Sequence, residues 1–171
     1  MRIIFIYISC LFFFNCKPVE EIKANLENEI IIPKSYVVNN TTQEIIIDGR
    51  DDELAWKEAK YSEDFIDIEG IKKPSQKTNV KMLWNGKHLY VFAKIYESHI
   101  WADIIERDEV IYYNNDFEVF INPNNHVFSY GEIEINALGT EWDLYLNKPY
   151  RLKGKADSSW NIEGLKSAVY I

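Results

Sequence analysis

Between Asp116 and Leu146, apolar and polar positions alternate with a period of two, and the alternation is broken twice. Phe117, Val119 and Ile121 fall on one side and Glu118 and Phe120 on the other, until Asn122-Pro123-Asn124-Asn125 ends the run. Ile133 and Ile135 then alternate with Glu132, Glu134 and Asn136, and Ala137-Leu138-Gly139 leads into Trp142 to Leu146. Such runs, bounded by Pro, Gly and Asn, predict three half-buried antiparallel strands. One face is apolar; the other carries Glu118, Glu134 and Asn136, and its simplest fate is a solvated sheet face.

The same reading predicts further strands at residues 30–32, 36–38, 45–47, 65–68 and 165–171, with a turn at 39–42. A hairpin is expected from 78–84 and 88–96, with Asn85-Gly86 forming a type I′ turn. In its second arm both faces are apolar (Leu89, Val91, Ala93 and Ile95; Tyr90 and Phe92), which predicts cover on both sides. Asp48-Gly49 reads as a turn, followed by a two-turn helix around Leu54, Ala55, Trp56 and Ala59, capped by Asp51 or Asp52. Trp56 plugs the core and Trp84 reads as core. Residues 98–115 and 148–160 read as loops. The expected fold class is all-β, a two-sheet antiparallel sandwich with one short helix near Trp56.

At 171 residues the chain has room for one domain with a substantial core. Aromatic residues make up 15%, which favours pleated, half-buried surfaces and supplies stacking planes. The balance of 19 basic against 27 acidic residues, without a Lys/Arg cluster, argues against nucleic acid or an anionic membrane surface as partner. Met1-Arg2 and the apolar residues 3–14 read as a secretory signal, too short to span a bilayer. Cys16 directly after it resembles a bacterial lipobox, so Cys16 is the expected lipidation site. The expected organisation is a signal peptide at 1–15, a charged tether at 16–29 and a β-sandwich at 30–171. The chain is then exported to the periplasm, outer membrane or cell surface and held on the membrane by its lipid. Beyond residues 10 and 16 there is no Cys, so no disulfide or thiolate site is expected in the domain.

Four segments carry a family resemblance: IDGRDDELAWKEA, VKMLWNGKHLYVFAKI, NNDFEVFINPNN and YGEIEINALGTEWDLYL, in order over residues 45–146. Together they resemble the family 9 carbohydrate-binding modules, within the wider group of DOMON-like domains. The resemblance implies a jelly-roll-like or immunoglobulin-like sandwich that grips sugar between aromatic planes at one edge. The aromatic preceding the Asp-x-Glu strand corresponds to Tyr112 or Tyr113. The strand Glu corresponds to Glu118, and Glu134 and Asn136 lie on the next strand, with Glu134 standing where the family pattern has a basic residue. The family's second clamping aromatic and last strands would lie beyond Ile171, so the domain is expected to be C-terminally incomplete.

Sugar chemistry agrees with these residue types. Pyranose C–H faces stack on Tyr and Trp, and ionised carboxylates accept hydroxyl protons. Trp101, Tyr112, Tyr113 and Trp142 are the candidate rings; Arg107 either reaches a hydroxyl or, the favoured alternative, pairs with Asp108 or Glu106. No GxSxG, HExxH or phosphate loop is present. The expectation is a non-catalytic binder of a glycan or oligosaccharide, assisting polysaccharide breakdown or capture beside glycoside hydrolases. The alternatives are a haem-binding electron-transfer domain, for which Met82 is the available axial Met, and an adhesion or structural lipoprotein without a small ligand. No cofactor is expected: calcium is left open, although the spacing of Asp48, Asp51, Asp52 and Glu53 does not match a calcium loop, and haem is disfavoured.

Overall fold

The structure, a computed structural model, describes residues 33–70 and 72–171, with a compact unit from Val37 to Ile171. The signal sequence, Cys16, the whole tether at 16–29 and the strand expected at 30–32 lie outside the described residues.

Strand β1 (Asn39–Asn40), helix α1 (Leu54–Glu58) and strands β2 (Thr78–Trp84) and β3 (Leu89–Ile95) form the first half. Strands β4 (Asp116–Ile121), β5 (Tyr130–Asn136), β6 (Glu141–Leu146) and β7 (Ala156–Asp157) form the second. They make two sheets, ordered β1-β2-β3 and β4-β5-β6-β7, so the domain is the expected all-β sandwich. Every pairing is antiparallel except β1 with β2, which runs parallel.

Packing explains α1. Ala55, Trp56 and Ala59 bury against Leu83 of β2, with Ile45, Tyr90 and Phe92 around them. Trp56 therefore plugs the core as its sequence suggested. The helix has no side-chain cap, and Glu53 stands at its N-cap position. Asp51, expected as a cap, instead accepts a hydrogen bond from the Tyr61 hydroxyl at 2.8 Å and pairs with Lys81. Phe65 joins the two halves: its N–H donates to Thr78 C=O at 2.8 Å, and its ring lies 6.4 Å from that of Phe117 on β4.

Several predicted elements differ. Residues 36–38, 45–47, 65–68 and 165–171 are not strands, and the strand before β2 is Asn39–Asn40, where a turn was expected. At Ile46 the reason is local: its N–H donates to the Glu53 carboxylate at 2.9 Å and is withdrawn from any ladder. The β2–β3 loop spans residues 85–88, with Asn85 N–H donating to His88 C=O at 2.9 Å. Neither Asn85 nor Gly86 has positive φ, so the turn is not type I′. Leu89, Lys94 and Ile95 are exposed, and β3 is an edge strand rather than a covered middle one. Trp84, expected as core, is 44% exposed at the end of β2.

Candidate functional site

The three strands expected between Asp116 and Leu146 form as β4, β5 and β6 of the second sheet. Glu118 stands opposite Glu134, Asp116 opposite Asn136, and Glu134 opposite Trp142. Directly paired residues share a face, so Asp116, Glu118, Glu132, Glu134, Asn136 and Trp142 all lie on one side. That side is covered over β5 and open over β4, where Glu118 and Phe120 are exposed. Glu132 is 3% exposed, Glu134 2% and Asn136 1%; the 3₁₀ turn Tyr150–Leu152 brings the Tyr150 hydroxyl to Glu132 at 2.9 Å, and Asn136 is covered by the segment carrying Ile104 and Asn114.

Burial controls the charge states. Desolvation first, then the charges of Glu118, Glu132 and Asp116, push the Glu134 carboxyl up to about 8. Desolvation and then Glu118 push Asp116 up to about 6. Burial also raises Glu118 and Glu132. No described Lys or Arg forms an ion pair with any of the four. One carboxylate oxygen from each of Asp116, Glu118 and Glu134 lies within 4.8 Å of the others. Oε2 of Glu134, Oδ2 of Asp116 and Nε1 of Trp142 are buried without a hydrogen-bond partner.

The rings stand beside this cluster. The 3₁₀ turn Ile111–Tyr113 is pinned by fully buried Ile111, which leaves Tyr112 52% and Tyr113 69% exposed. Their ring centroids are 4.8 Å apart, and Tyr112 lies 6.1 Å from Trp142 at 33° between planes. Tyr113, and more weakly Glu134, raise the Tyr112 phenol above its ordinary range. Tyr112, Tyr113 and Trp142 therefore form one aromatic rim next to Glu118 and Glu134.

The remaining predicted residues have other placements. The Asn136 amide is fully engaged: its Nδ2 donates to Ile104 C=O at 2.8 Å and Asn114 Oδ1 at 3.1 Å, and its Oδ1 accepts from the N–H groups of Leu138 (3.0 Å) and Thr140 (2.9 Å). With its donors and acceptor occupied, Asn136 holds the rim in place and has none left for a hydroxyl. Arg107 pairs with Glu141 and with fully buried Asp143, and only loosely with Asp108 at 3.7 Å. Asp143 stands opposite Ile133, on the face away from Glu134, so Arg107 belongs to that other face. Trp101 is exposed and reaches the site through its backbone, whose N–H donates to Asn115 Oδ1 at 2.7 Å.

Sequence reasoning missed Asp116, Glu132, Asn114 and Tyr150. The first two were within reach, each two positions before a chosen Glu and hence on its face. Asn114, which accepts from the N–H groups of Asp103 (3.2 Å) and Ile104 (3.1 Å), and Tyr150 carry no periodic signal.

The sequence pattern of the family described as carbohydrate family 9 binding domain-like matches residues 47–143, more than half of the chain. The chain belongs to that family. No curated protein and no solved structure gave a match. The match runs from the Asp48-Gly49 turn of this family 9-like module through the rings and carboxylates to Asp143, and so covers the rim and the acidic face. Tyr150 lies outside it.

Proposed function

We propose that this family 9-like module binds a carbohydrate at the rim formed by Tyr112, Tyr113 and Trp142. The carrying observation is the juxtaposition of two exposed tyrosine rings and a half-buried Trp with the exposed carboxylate of Glu118. The rings cover the C–H face of a pyranose, and Glu118 accepts from its hydroxyls. The role is binding without catalysis. A glycosidase needs two carboxyl groups flanking the scissile bond, whereas Glu118 and Glu134 stand side by side on neighbouring strands, with Glu134 sealed from solvent.

The leader and Cys16 support export and lipid anchoring, with the module assisting polysaccharide capture or breakdown beside glycoside hydrolases. A Cys16→Ser variant should move the protein from the membrane to the soluble fraction; unchanged membrane association would overturn the anchor. A glycan array probed with the full chain should find the ligand. Calorimetry with Tyr112→Ala and Tyr113→Ala should then show roughly tenfold or greater losses of affinity, about 1–3 kcal/mol for a stacking ring. A folded protein that retains no glycan, or glycan affinity indifferent to both substitutions, would overturn the reading.

A further inference from the structure

We propose that the ligand is a neutral glycan chain bound along its length, with a second subsite at the far end of β4 formed by Phe120, Tyr130 and His126. The inference rests on carbohydrate binding at the rim of Tyr112, Tyr113 and Trp142, and adds the length and charge of what is bound.

The path follows from strand geometry. Asp116, Glu118 and Phe120 fall on one face of β4, and Glu118 and Phe120 are both exposed there. Phe120 stands two residues beyond Glu118, about 7 Å along the strand. On β5, Tyr130 shares that face and stands four residues from Glu134, about 13 Å from the level of Trp142. The Phe120 and Tyr130 rings are 6.1 Å apart. Tyr150, hydrogen-bonded to Glu132, borders the strip on its β5 side. An open path thus runs from the rim, past Glu118, to a second pair of rings. It is longer than one pyranose, so a ligand that touches both ends is an oligosaccharide.

At the far end, a cleft of about 240 Å³ has Phe120, Asn122, His126, Val127, Tyr130 and Pro149 in its walls. The Asn122 side chain braces this loop. Its Nδ2 donates to the carbonyls of His126 and Phe128, and its Oδ1 accepts from the N–H of Asn124. Nδ1 of exposed His126 accepts from the Phe128 N–H at 3.1 Å, which places the hydrogen of the neutral ring on Nε2, a donor for a sugar oxygen. Ring planes for C–H faces and a placed donor repeat the chemistry of the rim. The charged side chains that β4 and β5 turn to this face are Asp116, Glu118, Glu132 and Glu134, all carboxyls. Such a face repels anionic chains and offers acceptors to neutral ones.

The test titrates the full chain by calorimetry with gluco-, xylo- and manno-oligosaccharides, from mono- to hexasaccharide, and with an oligogalacturonide as the anionic control. Affinity should climb roughly tenfold or more from monosaccharide to tetrasaccharide in the recognised series, and the anionic chain should not bind. Phe120→Ala should lower the tetrasaccharide-to-monosaccharide affinity ratio roughly fivefold to tenfold, and Phe120→Tyr should restore it. Tyr112→Ala, in contrast, should weaken binding of both sugars. Should Phe120→Ala fail to fold, Phe120→Leu, which keeps an apolar side chain and removes the ring, decides the question. Affinity independent of chain length, a ratio indifferent to Phe120, or preference for the anionic chain would overturn this inference alone, since monosaccharide binding that depends on Tyr112 would leave the rim standing. No binding by any series would overturn it too, with the rim left to the glycan array.

Discussion

The Lys81 ammonium shows how a single residue holds a charge inside this domain. Its side chain is 6% exposed, pairs with Asp51, donates to Trp56 C=O at 3.1 Å and lies 4.6 Å from the centre of the Tyr61 ring. Burial pushes the Asp51 carboxyl up, but hydrogen bonds from Lys81 and Tyr61 outweigh it and hold the group below its usual range. The stabilisation from a depressed carboxyl is present above its ordinary pKa, about 4, and is lost as pH falls below it. Asp51→Asn should therefore flatten the acid side of the stability profile, measured as urea midpoints from pH 6 to pH 2. Asp51→Ala leaves Lys81 without its carboxylate and should cost about 2–3 kcal/mol at neutral pH. That is less than the 3–5 kcal/mol of a fully buried pair, because Asp51 is partly solvated. Lys81→Met, which removes the buried charge itself, should cost less.

At the scale of the element, the aromatic turn and the β5–β6 connection behave as one unit. Asn136 binds Asn114 across the turn, and both amides reach the backbone of the 103–104 segment. Asn136→Ala leaves the N–H groups of Leu138 and Thr140 and the Ile104 carbonyl without their partner. Its expected cost is about 2–3 kcal/mol by thermal or chemical unfolding. It should also lower carbohydrate affinity without touching the sugar, because the Tyr112–Tyr113 turn loses its anchor. Asn114→Ala should reproduce both effects, and the double variant should cost less than the sum of the singles, since the two share a hydrogen bond. Additive losses would show that the rim is positioned by other means.

For the whole molecule, the closing contact lies between the first turn and the last residues. Gly49 has φ +82°, and a Cβ there would stand 2.6 Å from the backbone nitrogen of Tyr170. The Arg50 guanidinium lies over the Tyr170 ring at 3.8 Å. Gly49→Ala meets both a strained backbone and a clash with a main-chain atom, so it should cost about 1–3 kcal/mol or displace the 169–171 segment. Increased proteolysis or faster amide exchange near Tyr170 would report the displacement. Wild-type stability and protection would show that this contact does not contribute.

Local pattern determined the class of fold, the strands β4, β5 and β6 of the second sheet, and Trp56 as a core plug. These depend on side-chain period and burial tendency, which neighbouring residues in the chain encode. Tertiary structure decided which faces are covered, and period alone carries no such information. It turned an expected solvated face into a buried acidic one, committed Asn136 to Asn114 and the backbone, and drew Arg107 to Asp143 on the opposite side. It also left residues 45–47 and 165–171 unpaired despite their apolar character, because a strand needs a partner's hydrogen-bonding edge and not only a suitable composition. The candidate site was thus half legible: two of its carboxylates follow from alternation and its tyrosines from the family resemblance, while the burial that gives those carboxylates their chemistry comes from chain segments far away in sequence.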